Sequence, residues 1–317
     1  MSAIEDIQQK AWTNIEFNLP ITDRARYTMI GNQLIDLVLK DDKLRQALTF
    51  VLAESDDPRS NQANLFTVSP ALHSADDKLW LHAGYQTRSH VNSAIPEIDQ
   101  PEILREFLDA VDQLLLAIED GFSRALRSIG ADDVATIVYD AEYMKRAIHI
   151  RIVRYTGARL ESAPQEPVTG HADMSLCTLH LYETHGNWFQ AAPYPQELIS
   201  EDQSPDHQAA IAAMRSNFNV IKEVDDQAVF FLGAGWKKLP KDNPPKKYQT
   251  LPACYHAGVR PAAEDEYISP YAQEVAGNDT DRVSLVVFAQ PNLDYANENN
   301  FVYPGVLECR PDTAVEL

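Results

Sequence analysis

The sequence predicts a mainly β protein with helices at its N-terminal end, and three observations carry that reading. Apolar residues recur every three or four positions over 23–48 and 101–129, the period changes to two after Ala131, and the later β-rich runs are joined by loops with no regular β-α-β order. Strands connected without crossover helices favour an antiparallel sandwich or jelly roll over a doubly wound sheet.

The elements follow in order. A first helix is expected over 23–39, continuing through Lys43-Leu44-Arg45-Gln46-Ala47-Leu48. A longer helix over 101–129 carries an apolar stripe that includes Leu104, Phe107, Leu108, Val111, Leu115 and Ile118, with Pro101 early and Gly130 where a C-terminal cap belongs. Ile148, Ile150 and Ile152 then alternate with His149, Arg151 and Val153, and β-rich runs follow at 176–182, 228–232 and 283–288. The expected organisation is a helical region, 1–130, packing on a core of 131–317 interrupted by an insertion at 191–226. That insertion is polar, with a short helix expected around 207–216. A loop at 237–247, with five lysines and three prolines, reads as a solvated hairpin tip.

Composition narrows the function. A formal charge of -20 on 317 residues repels phosphate backbones and anionic lipid, so nucleic acid and membrane are not expected partners. The first residues have neither a basic nor an apolar leader segment, and no apolar run approaches the length of a membrane span, which points to the cytoplasm. Cys177, Cys254 and Cys309 fit neither a disulfide framework nor a metal knuckle.

In Gly170-His171-Ala172-Asp173 the imidazole and carboxylate are two residues apart, so on an extended strand both face one side, as a two-ligand metal clip. Downstream stand Tyr255-His256-Ala257-Gly258 and then Asp281-Arg282-Val283-Ser284-Leu285, the run closing at Gln290-Pro291. Two histidines and one carboxylate on one face of an octahedron leave three positions open for a bidentate co-substrate and dioxygen. Arg282 and Ser284, again two apart in a β run, share a face and suit one carboxylate.

These motifs, with the tyrosine-ended strand Arg151-Ile152-Val153-Arg154-Tyr155, the turn His185-Gly186-Asn187 and the run Ala228 to Trp236, resemble the 2-oxoglutarate and iron(II)-dependent dioxygenases of the isopenicillin N synthase type. The elements stand in the family's order over roughly half of the chain. The resemblance implies a double-stranded β-helix (jelly-roll, cupin-like) core and Fe(II) held by His171, Asp173 and His256 as the catalytic and metal residues. It implies that Arg282, Ser284 and Tyr155 hold the far carboxylate of 2-oxoglutarate. It further implies consumption of O2, release of succinate, and hydroxylation, desaturation or ring closure of a small-molecule substrate. Asp173 disfavours halogenation, because related halogenases have a small residue there. The chain departs from the family in the long separation of His171 from His256, where the 191–226 insertion sits, and in having Val153-Arg154-Tyr155-Thr156 for the Asn-Tyr-Tyr-Pro of plant members.

Two alternatives stand beside this reading. One is an oxidase like isopenicillin N synthase that uses no 2-oxoglutarate, its Arg-x-Ser pair gripping the substrate's own carboxylate. The other is a non-catalytic jelly-roll binding protein. His149, His180, His185 and His207 lack a partner at ligand spacing and are expected to be packed or solvated. Residues 84–92 and the 191–226 insertion are expected as pocket walls, the insertion as a lid.

Overall fold

The computed structural model describes residues 2–48, 67–70, 78–85, 87–138, 148–163, 165–166, 168–173, 175–194, 212–221, 226–238 and 242–289. Gln290-Pro291, Cys309, His207 and the first half of the expected 207–216 helix lie outside them, while 212–215 is helical. In chain order the elements are α1 (Ala3–Lys10), β1 (Trp12–Glu16), α2 (Ile21–Lys40), α3 (Asp42–Leu48), β2 (Thr67–Pro70), β3 (Lys78–Ala83), α4 (Thr87–Ala94), α5 (Glu102–Ser128) and α6 (Asp132–Val138). Then come β4 (Ile148–Tyr155), β5 (Val168–Ala172), β6 (Cys177–Glu183), β7 (His185–Gly186), β8 (Phe189–Tyr194), β9 (Asn219–Val220), β10 (Gln227–Leu232), β11 (Ala253–Gly258), β12 (Tyr267–Ile268), α7 (Ala272–Ala276) and β13 (Arg282–Ala289).

Among the described residues every strand pair is antiparallel. A seven-stranded sheet runs β1-β10-β6-β13-β4-β3-β2, and a four-stranded sheet runs β5-β11-β8-β9. The helices come first in the chain and the sheets dominate after them, as the change of period implies. The N-terminal region is not helical throughout: β1, β2 and β3 enter the large sheet, β3 pairing with β4 and β1 with β10.

The large sheet is covered on both faces, and alternation along its strands divides the side chains into two sets. One set, including Ile150, Ile152, Leu179, Leu285 and Val287, joins Leu34, Phe107, Leu114 and Phe122 of α2 and α5 in the main hydrophobic core. The α5 stripe forms as its spacing predicts. The helix stops where Gly130 takes φ of 75°, its N–H donating to the Arg127 carbonyl at 2.9 Å while the Ala131 N–H donates to Leu126 at 2.9 Å. Arg154 fixes α2 to β4 from the same side, with Nε donating to Asn32 Oδ1 at 2.7 Å and Nη1 pairing with Asp36 at 2.7 Å.

The opposite set faces the small sheet. On β4 it is Arg151, Val153 and Tyr155, and on β13, directly across, it is Val286, Ser284 and Arg282. Strand β6 breaks its alternation here: Ser284 pairs with Glu183 but Val286 pairs with His180, so the register shifts between them. The irregularity turns His180 and Glu183, three residues apart, to the same side, with Nε2 of His180 3.0 Å from a Glu183 oxygen.

The lysine-rich loop is tied down at several points. Lys237 is buried over the Tyr194 ring, and Lys246 and Tyr248 reach Asp133 on α6 at 2.8 and 2.6 Å. Among the described residues no helix is long and apolar enough to cross a membrane.

Candidate metal centre and cavity

His171 on β5 and His256 on β11 are cross-strand partners, directly opposite in the register, with ring centroids 4.5 Å apart. Asp173 follows β5 immediately. One ligand atom from each of the three lies within 4.8 Å of the others, and this is the one such group among the described residues. Oδ1 of Asp173 is 3.5 Å from Nε2 of His171 and 3.9 Å from Nε2 of His256. The side chain of His171 is 48% exposed whereas that of His256 is 7%, so the centre opens to solvent on the His171 side.

Local structure holds Asp173 in place. Thr178 Oγ1 donates to its Oδ2 at 2.8 Å, which leaves Oδ1 for the histidines. The turn after β10 packs against its backbone, with the Ala234 N–H donating to the Asp173 carbonyl at 2.6 Å. A Cβ on Gly233 would stand 2.0 Å from the Ser175 carbonyl oxygen and 2.8 Å from that of Asp173, so this approach requires glycine. Burial pushes the Asp173 carboxyl up, but His256, His171 and the Thr178 hydrogen bond overcome it and hold the group below the usual carboxylate range. Burial lowers His256 to about 4 against the opposing pull of Asp173. At neutral pH the centre therefore offers a carboxylate and a neutral buried imidazole, the forms that bind a metal ion.

The centre lies in a cavity of about 260 Å³ between the two sheets. Its apolar wall includes Val153, Val168, Phe189, Phe231, Val286 and Phe288, with Ile221 of the insertion among the lining residues. Met214 and Phe218 of the insertion instead cluster with Tyr255, next in chain to His256, and Arg215 forks onto Glu166 at 3.0 and 2.7 Å. The described part of the insertion thus reaches both the cavity and the back of the small sheet. None of the described residues of 84–92 lines the cavity.

Tyr155 lines the cavity, but Arg282 and Ser284 lie just beyond its wall. Arg282 is fully buried, its guanidinium 4.6 Å from the Tyr155 ring centre and 4.8 Å from that of Phe189, and Phe189 in turn is 5.7 Å from the His256 ring. Arg282 Nη2 is paired with Glu183, itself buried. Nη1 of Arg282 and Oγ of Ser284 are buried with no hydrogen-bond partner among the described residues. Glu183 is a neighbour that sequence reasoning missed, since strict alternation from His180 sends it to the other face. Arg151 was also missed: it lines the cavity and stacks over Phe288 at 4.8 Å. The one available signal for it was its two-residue spacing from Val153 and four-residue spacing from Tyr155. His149, His180 and His185 are buried, and His180 reaches the cavity wall.

No family model and no curated protein matches the sequence. Solved structures do match the fold. A Neurospora crassa protein in complex with alpha-KG and 5-formyluracil superposes with a TM-score of 0.55 at 16% identity over 95% of this chain and 84% of that one. The dioxygenase for auxin oxidation from rice gives 0.51 at 13% identity over 92% and 77%. Its counterpart from Arabidopsis thaliana, in complex with 2-oxoglutarate, gives 0.52 at 13% identity over 92% and 87%. The chain has the fold of these proteins: antiparallel sheets backed by helices.

Proposed function

We propose that this chain is a non-haem Fe(II), 2-oxoglutarate-dependent oxygenase that oxidises a small molecule, its two sheets forming a double-stranded β-helix. The observation that carries the reading is the convergence of His171, Asp173 and His256 at a cavity whose wall is largely aliphatic and aromatic. Two neutral nitrogen donors and one carboxylate suit Fe(II) with positions left open. The solved structures of the same fold that hold 2-oxoglutarate or alpha-KG support the co-substrate. Residues 131–317 are the catalytic core in this reading, with the 191–226 insertion at its side and 1–130 packed on it.

His171, Asp173 and His256 are the iron ligands, and Arg282, Ser284 and Tyr155 hold the distal carboxylate of 2-oxoglutarate. The buried Nη1 of Arg282 and Oγ of Ser284 fit that role, because each lacks a hydrogen-bond partner among the described residues and a ligand carboxylate can accept from both. With iron and 2-oxoglutarate bound, the centre supplies oxidising power from O2 that removes a hydrogen atom from the substrate, with hydroxylation the default outcome. The chain's own part is positional. Thr178 orients Asp173, the valines and phenylalanines of the wall exclude water, and the cavity holds one C–H bond of the substrate toward the ligand triad.

A second reading is favoured by one observation, the pairing of Glu183 with Arg282. With Arg282 already matched by a carboxylate, no 2-oxoglutarate is needed to satisfy it, which suits an oxidase that takes none, provided that its substrate carboxylate is held elsewhere than on the Arg-x-Ser pair. Anaerobic titration of the iron(II)-loaded protein with 2-oxoglutarate separates the two. A visible charge-transfer band that is lost in Arg282→Ala, with succinate released on admitting O2, supports the oxygenase. Iron binding without the band supports the oxidase, and failure to bind iron removes both.

A further inference from the structure

Among the described residues β5, which carries His171, has a strand partner on one side alone, β11, and the register of that pair shifts between His256 and Gly258, beside the ligand. The side chain of His171 is also 48% exposed, so less packing holds it than holds His256. An edge strand with a break in its ladder fixes an exposed ligand weakly, and whatever braces its free side bears on the metal. The brace comes from the insertion, whose residues 212–221 run as a strap along the small sheet. At one end Arg215 forks onto Glu166, Nη2 donating to Oε1 at 2.7 Å and Nη1 to Oε2 at 3.0 Å, and the same Oε1 accepts the Gly170 N–H at 2.9 Å. Met214 and Phe218 pack on Tyr255, which alternation turns to the side opposite His256. At the other end Asn219 and Val220 pair with Ala191 and Gln190 of β8, and Ile221 lines the cavity.

We propose that Arg215 is a positioning residue for the metal centre: through Glu166 it pins Gly170, and with it the backbone of His171, so that metal affinity depends on the strap being docked. The assignment rests on the reading of His171 as a metal ligand and deepens it by naming what holds that ligand in place.

Three features of the geometry carry it. The fork has two prongs, which fixes direction as well as distance. Its carboxylate is shared with the backbone N–H of the residue immediately before the ligand, so a shift of Glu166 shifts the acceptor of that bond. The close approach uses the missing side chain of Gly170, where a Cβ would stand 2.7 Å from Nη2 of Arg215 and 2.6 Å from the Tyr255 hydroxyl. With side chains 37% and 30% exposed, the pair adds little to global stability, and its effect is local. One continuous segment thus supplies a side chain to the cavity wall and the brace behind His171.

The test is calorimetric titration of the full chain with manganese(II), at a temperature where thermal melts show every variant folded, so that a loss of stability alone does not register. The sign of the Arg215→Met effect decides. Removing a positive charge near a cation site raises affinity through the long-range field, whereas removing a brace lowers it. Arg215→Met is expected to bind manganese(II) about tenfold more weakly than wild type, the lower end of the cost of losing a group that orients a ligand. Glu166→Met loses the fork and the Gly170 bond together, and is expected to fall at least as far. Adding Arg215→Met to Glu166→Met is expected to cause no further fall, because Arg215 acts through that carboxylate. Affinity in Arg215→Met that rises, stays the same or falls by less than about threefold overturns the proposal. Wild-type affinity in Glu166→Met overturns it too, as does a further fall of about threefold or more in the double variant. Failure of wild type to bind manganese(II) removes the metal reading and the role of Arg215 with it, whereas wild-type binding with an unaltered Arg215→Met removes that role alone.

Discussion

The guanidinium of Arg282 and the carboxylate of Glu183 are paired inside the protein with side-chain exposures of 0% and 1%. A buried pair of this kind balances desolvation against attraction, and removing one partner leaves an uncompensated charge. Glu183 therefore competes with any ligand carboxylate for Arg282. Glu183→Gln is expected to bind 2-oxoglutarate about tenfold more tightly than wild type, a gain of about 1.4 kcal/mol. The ligand-free variant should be less stable, and 2-oxoglutarate should restore more of its melting temperature than it adds to wild type. Calorimetry and thermal melts read both, and an unchanged or weaker affinity removes Glu183 from the co-substrate site.

The metal centre makes a stability prediction that needs no turnover. A ligand that binds the native state alone stabilises it by about 2.7 kcal/mol at a hundred times its dissociation constant. Manganese(II) should raise the melting temperature of wild type and leave that of Asp173→Ala unchanged. Thr178→Val should keep the fold but lose the hydrogen bond to Oδ2 of Asp173. Metal affinity in that variant is expected to fall by about 10- to 100-fold, the usual cost of removing a group that orients a ligand. A Thr178→Val protein with wild-type affinity shows that Asp173 is positioned by its backbone alone.

That backbone is itself open to test. Because a Cβ at Gly233 would stand 2.0 Å from the Ser175 carbonyl oxygen and 2.8 Å from that of Asp173, Gly233→Ala must push the two segments apart. Lower stability by about 1–3 kcal/mol is expected, the range for forcing extra volume into packed structure. Metal affinity should fall with it, measured by manganese(II) titration well below the variant's melting temperature. Full metal affinity in a destabilised Gly233→Ala separates the turn from the site.

What the sequence revealed of this molecule followed from regular spacing, and what it concealed followed from breaks in it. His171 and Asp173 sit two apart at the end of a strand, and Arg282 and Ser284 two apart within one, so alternation was enough to place each pair on a common side. The α5 stripe and its Gly130 stop were legible for the same reason, since 3.6-residue periodicity survives without tertiary context. The partner of Arg282 was not legible, because the register shift in β6 brings Glu183 to the side that alternation from His180 denies it. Strands β1, β2 and β3 were also missed within a region read as helical. Each is short, and its pairing lies with strands far along the chain, which local pattern does not encode.

The last prediction concerns acid. His149 is buried against His82, with ring centroids 4.4 Å apart, and burial followed by the charge of Arg151 lowers its pKa to about 3 from an ordinary 6.5. Above pH 6.5 the residue is neutral in both folded and unfolded chains, so its contribution to stability is fully present. As pH falls from 6.5 toward 3 the unfolded chain takes up a proton that the folded chain refuses, and stability is lost through that window. At pH 5 the loss from this one residue is about 2 kcal/mol. His149→Phe, which keeps a ring in the site, removes that proton. The difference in unfolding free energy between pH 7 and pH 5, measured by urea denaturation of the metal-free protein, should shrink by about this amount. The comparison of slopes is insensitive to any packing cost of the phenyl ring, which is the same at both pH values. Part of the acid sensitivity should persist, because His82 is also driven well below its ordinary value by burial and remains in the variant. An unaltered pH dependence would mean that His149 titrates in the folded protein as it does in the unfolded chain, and that the interior around Arg151 admits a proton.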